Sequence, residues 1–401
     1  MRKILYPLSL MAFLFFSSLL LLPDKIQSKV SDVFYGTLFA PVYQTVISPI
    51  LATCPFQHSK LACQLNDWES IKSSCFINGA VLQDKLKKGL PQWAMDQIQE
   101  DLSHFPVIKK TELRKVLNEN APQNTLSLFQ IKNKKVIASS NVQLHMESNR
   151  AHKVILYAVE YLAQKGYIPD TEFVLALADN YTPINERSIP IFTFAKDQNI
   201  PVEKDLILIP DWQNLGSTPN LRQRIRSANQ LTPWGDKKSV LFWRGGKLDS
   251  TGFRKRLVSF SKEHPTLIDA EFVTHYGKKK DVHSFIKPED HLKYKYLASV
   301  DGQRCSWERL IWHLHSNSLV FKHLSSQTQW FYKGIKPFEH YIPMTDENSI
   351  LTNITWAENH PQEVQSIIHN ATTFVEENLQ LEDIYHYIAV LLQEYHKRLQ
   401  Q

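Results

Sequence analysis

The chain has 401 residues, 43% hydrophobic and 21% charged, which is too long for one ordinary core and natural for two domains. Its formal net charge of +6 is small and dispersed, which speaks against nucleic acid as a partner and fits a protein that handles phosphorylated ligands or rests near an anionic membrane. Only 12 glycines argue against a glycine-rich nucleotide fingerprint, a collagen-like segment or disordered linkers.

Arg2 and Lys3 precede Ile4–Leu22, a stretch without charge. At about 1.5 Å per residue a helix of this length covers roughly 28 Å, enough to cross a hydrocarbon core. No convincing small-x-small cleavage site follows, which favours an uncleaved single-pass anchor over a cleaved signal peptide. The basic start places the N-terminus in the cytosol, while the side holding the rest of the chain stays open. Residues 1–28 are therefore read as the membrane segment and 29–80 as a membrane-proximal region. Within that region Val33–Gln57 is also free of charge but carries Pro41 and Pro49. It reads as an interfacial or packed segment, with a second span as the alternative. Cys54, Cys63 and Cys75 also fall here. The absence of a C-x-x-C pair speaks against zinc, and a disulfide in this window requires an oxidising compartment.

Further along, residues 76–100 read as a helix entrance and an amphipathic run, with Pro91 suited to a first turn. Thr125–Ile131 and Lys135–Ser139 alternate around Lys132-Asn133-Lys134 and predict a hairpin. His152–Lys165 has helical periodicity, and Gly166 ends it. Glu172–Ala178 is a short apolar run of the kind buried on both faces of a sheet. Ile189–Phe194 and Asp205–Ile209 are further strands, and Asn220–Gln230 is a helix.

A second alternation begins near Pro233. Strands are expected at Ser239–Trp243, Ile268–Val273, Tyr294–Val300 and Leu319–Phe321, and helices at Gly252–Lys262 and Ser306–His315. The end is helical over Pro361–Glu377 and Glu382–Leu399. Short buried strands alternating with helices indicate an α/β fold with mostly parallel sheets. The domain division drawn from this is 81–232 and 233–401.

Charge stands at two strand–turn–helix junctions. The first is Trp243-Arg244-Gly245-Gly246, leading to Arg254-Lys255-Arg256. A strand that exits into Arg-Gly-Gly lets the backbone approach a ligand beside the Arg244 guanidinium, and Gly246 can expose its N–H. A tight turn with solvated basic residues explains the same pattern. The second is Asp301-Gly302-Gln303-Arg304-Cys305-Ser306-Trp307-Glu308-Arg309. Asp-Gly marks a turn and Ser306 suits an N-cap, so a helix N-terminus is expected at the carboxyl end of a buried strand. Such a terminus favours a diphosphate, and Arg309 can add a fork to it. Asp179, just past the strand Glu172–Ala178, stands where α/β sheets place ligands, although a turn or cap aspartate is as common. His340 and Trp330-Phe331-Tyr332 read as packed. No D-x-D, G-x-S-x-G or H-E-x-x-H is present.

From about Leu90 to Leu399 the sequence resembles the capsule-associated-protein (CAP10-like) glycosyltransferases, which include protein O-glucosyltransferases and bacterial lipopolysaccharide-modifying enzymes. The resemblance rests on motifs in family order: Leu90-Pro91-Gln92-Trp93 with Gln97-Ile98; Phe192-Thr193-Phe194-Ala195-Lys196; Trp243-Arg244-Gly245; Asp269-Ala270-Glu271-Phe272; Lys293-Tyr294-Lys295-Tyr296; and Lys336-Pro337-Phe338-Glu339-His340-Tyr341-Ile342-Pro343. Cys305-Ser306-Trp307-Glu308-Arg309 looks like the bacterial branch. The resemblance implies a GT-B-like fold of two Rossmann-like domains facing across a cleft, behind the N-terminal membrane segment. It implies a UDP-sugar donor, a glycan or protein acceptor, inversion, and no metal or other cofactor. It matches the catalytic base to Asp179 and donor binding to Gly246, Arg254, Gln303, Ser306 and Arg309, with Arg244 beside them. The base usually follows an arginine in animal members, whereas Ala178 stands there here.

Overall fold

The structure, a computed structural model, describes residues 77–119, 125–140, 146–178, 190–216, 218–273 and 286–400. The membrane segment, Val33–Gln57, the three early cysteines and Asp179 lie outside them. Among the described residues no helix is long and apolar enough to cross a membrane.

Two helices open the described chain, α1 (Gly79–Lys88) and α2 (Gln92–Ser103). Asn78 caps α1 through its side chain, while Pro91 stands at the N-cap of α2 rather than inside its first turn. Strand β1 (Ile108–Lys109) and helix α3 (Lys110–Glu119) follow. The expected hairpin forms from β2 (Leu126–Lys132) and β3 (Lys135–Ser140). Its turn residues Asn133 and Lys134 both have positive φ, the twist a two-residue hairpin turn requires.

Helix α4 (Met146–Gln164) begins earlier than its periodicity indicates, and Gly166 ends it at φ 74°. Then come β4 (Glu172–Ala176), β5 (Ile191–Thr193), β6 (Lys196–Asp197), a short 3₁₀ turn over Pro201–Glu203 and β7 (Ile207–Leu208). Helices α5 (Trp212–Gly216) and α6 (Thr218–Leu231) complete this part. The first sheet has the order β3-β2-β4-β5-β7. Its β4, β5 and β7 run parallel, whereas β2 is antiparallel to both neighbours. Every residue of β4 is buried, as its continuous apolar run requires.

The second sheet uses β8 (Lys238–Gly245), β9 (Ile268–Phe272), β10 (Tyr294–Ser299), β11 (Leu319–His323) and β13 (Ile342–Met344). Between them lie α7 (Phe253–Glu263), α8 (Pro288–His291), α9 (Glu308–Leu314) and the short β12 (Gln327–Thr328). Its order is β13-β11-β10-β8-β9 and every pairing is parallel. Strands β8 and β10 therefore sit side by side and deliver their carboxyl ends to the same edge, which is where α/β sheets hold ligands.

The chain ends with α10 (Glu347–Asn359), α11 (Pro361–Asn378), α12 (Leu381–His396) and β14 (Leu399–Gln400). Helix α10 went unread in the sequence; Asp346 and Ser349 close a capping box at its start. Helix α12 does not stay with the second sheet. Its Tyr385, Ile388, Leu392 and Tyr395 join the same core as Phe129, Phe173 and Phe192 of the first, and β14 pairs with β1. Phe192 and Tyr395 meet edge to face at 5.1 Å.

Candidate donor site

The motif residues separate into two groups once their contacts are followed. Those of the first sheet are structural. Lys196 is 4% exposed and donates to Asp101 Oδ1 at 2.6 Å and to the carbonyls of Lys204 and Leu206. Asp101, fully buried, also accepts from Gln97 and from the Leu208 N–H. Each ammonium hydrogen has a partner, so the Phe-Thr-Phe-Ala-Lys motif ties α2 to β7. Trp93 of the Leu-Pro-Gln-Trp motif packs 6.0 Å from Trp330 and 5.8 Å from Phe374. His340 accepts from the Lys336 N–H and packs on Phe374, a buried histidine held in place, as its sequence context indicates.

Past the ends of β8 and β10 the arrangement differs. Arg254 Nε donates to the Asp301 carbonyl at 3.0 Å and Nη2 to that of Val300 at 3.0 Å. Its Nη1 donates to the carbonyls of Gly246 and Leu248, both at 3.1 Å. This guanidinium staples the loop after β8 to the loop after β10, leaving one Nη2 hydrogen without a partner among the described residues. Gly302 is required by that staple: a Cβ there would lie 2.9 Å from Arg254 Nη2. Asp249, missed in the sequence although Asp-Ser-Thr is an Asx-turn signal, accepts from the backbone N–H groups of Thr251, Gly252 and Arg254 and so opens α7.

Arg309 donates to the Arg244 carbonyl at 2.7 Å. Burial, and then the nearby Arg254, push its guanidinium down to about 10, so it stays charged at neutral pH. Neither Arg254 nor Arg309 has a carboxylate at ion-pair distance among the described residues. By contrast the Arg244 guanidinium is held at 2.7 Å by Asp269 on β9 and lies over Phe242, so Arg244 reaches the cluster through its backbone. Beneath Arg309, burial followed by the Arg309 charge drives His291 down to about 3 and keeps it neutral.

The expected cap of α9 is corrected. Trp307, at φ 55° and ψ −137°, is the N-cap residue and the helix begins at Glu308. The Ser306 N–H is already taken by the buried Asp301 carboxylate at 2.9 Å, and its hydroxyl lies 2.8 Å from that of Ser299. A serine cap needs its hydroxyl free to accept an N–H of the first helical turn, and the Ser306 hydroxyl is engaged with Ser299 instead. Asp301, read in the sequence only as a turn residue, also accepts from Ser325 at 2.7 Å and thereby joins the loops after β10 and β11.

Arg244, Gly246, Arg254, Ser306 and Arg309 are thus brought into one cluster, with Gln303 exposed on the loop beside it. Asp179 lies outside the described residues. Among the described residues no group of His, Cys, Asp or Glu side chains is arranged to hold a metal ion. The arrangement offers fixed cations to an anion at the edge of a parallel sheet, with the Gly246 backbone beside them.

Comparison with known proteins identifies the family of the chain. The chain is 28% identical to human protein O-glucosyltransferase 1 over 329 residues, covering 75% of this chain and 79% of that one. It is 25% identical to zebrafish protein O-glucosyltransferase 2, covering 81% and 68%. A solved chain, Anabaena Alr3699/HepE in complex with UDP, superposes with a TM-score of 0.33 at 9% identity over 62% of this chain and 77% of that one, a likeness too loose to build on. The sequence pattern of glycosyl transferase family 90 matches residues 91–401. The chain belongs to that family and is a glycosyltransferase.

Proposed function

We propose that the protein transfers a sugar from a UDP-sugar to an acceptor hydroxyl with inversion, and that the cluster at the ends of β8 and β10 holds the donor diphosphate. The observation that carries this is the pair of neighbouring guanidiniums, Arg254 and Arg309, on which Asp249, Asp301 and Glu308 act but with no carboxylate at ion-pair distance among the described residues. Two adjacent cations left unpaired in a half-buried place are unfavourable unless an anion joins them. A diphosphate supplies that anion, and its leaving charge is what such cations stabilise during transfer. Arg309 and the Gly246 N–H face the ligand in this reading. Arg254 chiefly shapes the two loops, and Ser306 contributes its hydroxyl rather than its N–H.

Asp179 is assigned as the base. It follows β4 in the sequence, and a carboxylate there takes the acceptor proton as the acceptor oxygen attacks the anomeric carbon. The two sheets are then two Rossmann-like domains facing across a cleft, with donor on the second and acceptor on the first. The charge-free Ile4–Leu22 supports a membrane tether. The bacterial form of the Ser-Trp-Glu-Arg motif favours a surface glycan such as lipopolysaccharide as acceptor; the names of the relatives favour a protein hydroxyl.

Calorimetric titration with UDP tests the site. Arg309→Ala should weaken binding about 10- to 100-fold, the effect of losing a charge-assisted contact. An unchanged dissociation constant removes Arg309 from the donor site. Offering UDP-glucose, UDP-xylose and UDP-galactose with glycan and peptide acceptors in parallel then separates the acceptor classes.

A further inference from the structure

Resting on the donor site just proposed, we infer that Glu203 and Arg304 form a positioning pair that couples the donor loop to the first sheet. Arg304 belongs to the loop after β10 and is 6% exposed; Glu203, from the 3₁₀ turn before β7, is fully buried. Their contact is a two-pronged fork, Nη1 to Oε2 at 2.7 Å and Nη2 to Oε1 at 2.7 Å. The same Oε2 accepts the Asp197 N–H at 2.7 Å. Around this fork the two parts of the chain are clasped: β6 pairs antiparallel with β12, Gln327 donates to Asp197 at 2.6 Å, and the Gln198 N–H reaches the Ser326 carbonyl at 2.9 Å.

The other end of the Arg304 loop is the donor cluster. Asp301 holds Ser306 and Ser325, and its carbonyl receives Arg254. A shift of this loop when a diphosphate binds therefore pulls on Glu203, and through it on residues 196–208. Stability alone does not account for the pair. Desolvating two charges offsets most of their attraction, and apolar residues of similar size commonly serve as well, whereas a fork fixes distance and angle. Register between donor loop and first sheet is what the geometry supplies.

Amide hydrogen exchange of the full chain with and without UDP reads this coupling without knowledge of the sugar or acceptor. In the wild type, UDP should slow exchange in both 301–309 and 196–208, by about fivefold or more. Glu203→Gln removes the countercharge of a buried guanidinium and is expected to lose much of its folded population. The decisive variant is therefore Glu203→Leu with Arg304→Met, which keeps the volume without the charges. It loses the acceptor of the Asp197 N–H and should melt below the wild type yet remain folded, with UDP protection in 301–309 and none in 196–208. Arg304→Lys, which keeps the charge without the fork, should transmit part of the protection. Equal protection of 196–208 in the double variant overturns the coupling while leaving the donor site standing. Absence of UDP protection at 301–309 in the wild type overturns the donor site, and the coupling with it.

Discussion

Lys196 and Arg309 are both cations beside the end of a parallel strand, and they are treated in opposite ways. Around Lys196 every hydrogen is matched by a carboxylate or carbonyl, and the charge fastens one helix to one sheet. Around Arg309, among the described residues, one backbone carbonyl accepts its hydrogen bond, Arg254 opposes its charge and only Glu308 favours it. A motif lysine in the first part is thus a fixture of the fold, while the second part holds positive charge in reserve. Position in a shared motif does not distinguish the two; the count of unmatched hydrogens does.

This contrast can be broken experimentally. The largest effect is expected from Asp179→Asn, which should lower transfer about 100- to 10,000-fold and leave UDP affinity nearly intact; transfer close to wild type removes Asp179 as base. Next is Lys196→Met. It strands the Asp101 carboxylate and should cost about 3–5 kcal/mol in denaturant unfolding, with UDP affinity of the folded fraction unchanged. Loss of affinity without loss of stability would reverse the assignment of the two cations. Gly302→Ala forces the Arg254 guanidinium aside and should weaken UDP binding about tenfold with a smaller change in stability.

A last effect concerns Lys237. It is buried, donates to the Ser316 carbonyl at 3.1 Å and the Ser318 hydroxyl at 2.8 Å, and burial pushes it down to about 7. Between pH 7 and the ordinary lysine range the unfolded chain holds the proton that the folded one has released. Stability should therefore rise with pH across that window, by up to about 1.4 kcal/mol per pH unit. Below pH 7 both states are protonated and the penalty of the buried charge is present in full. Lys237→Met should flatten the rise in thermal unfolding followed from pH 7 to 9; an unchanged slope would show that another group titrates.

Much of the fold is legible because it is local. The Asn133-Lys134 turn, Gly166 and the apolar run of β4 carry their geometry in a few adjacent residues. That Arg244, Gly246, Arg254 and Arg309 gather at one sheet edge is legible for the same reason, since arginines beside glycines at strand ends form a local pattern. Their division of labour is not. Whether Arg244 points at a ligand or at Asp269 depends on a strand 25 residues away, and whether Ser306 caps its helix depends on the hydroxyl of Ser299 on the strand before the turn. Glu203 and Arg304 lie 101 residues apart, and nothing near either one announces the other.

The return of α12 to the first sheet also bears on how the protein is made. Tyr385, Ile388, Leu392 and Tyr395 stand far along the chain from Leu82, yet they complete the same core. That core stays open until α12 has been made, and any truncation ahead of Leu381 leaves its aromatic floor facing water. Expression strategies that cut the chain between its sheets sever the first one from its own lid.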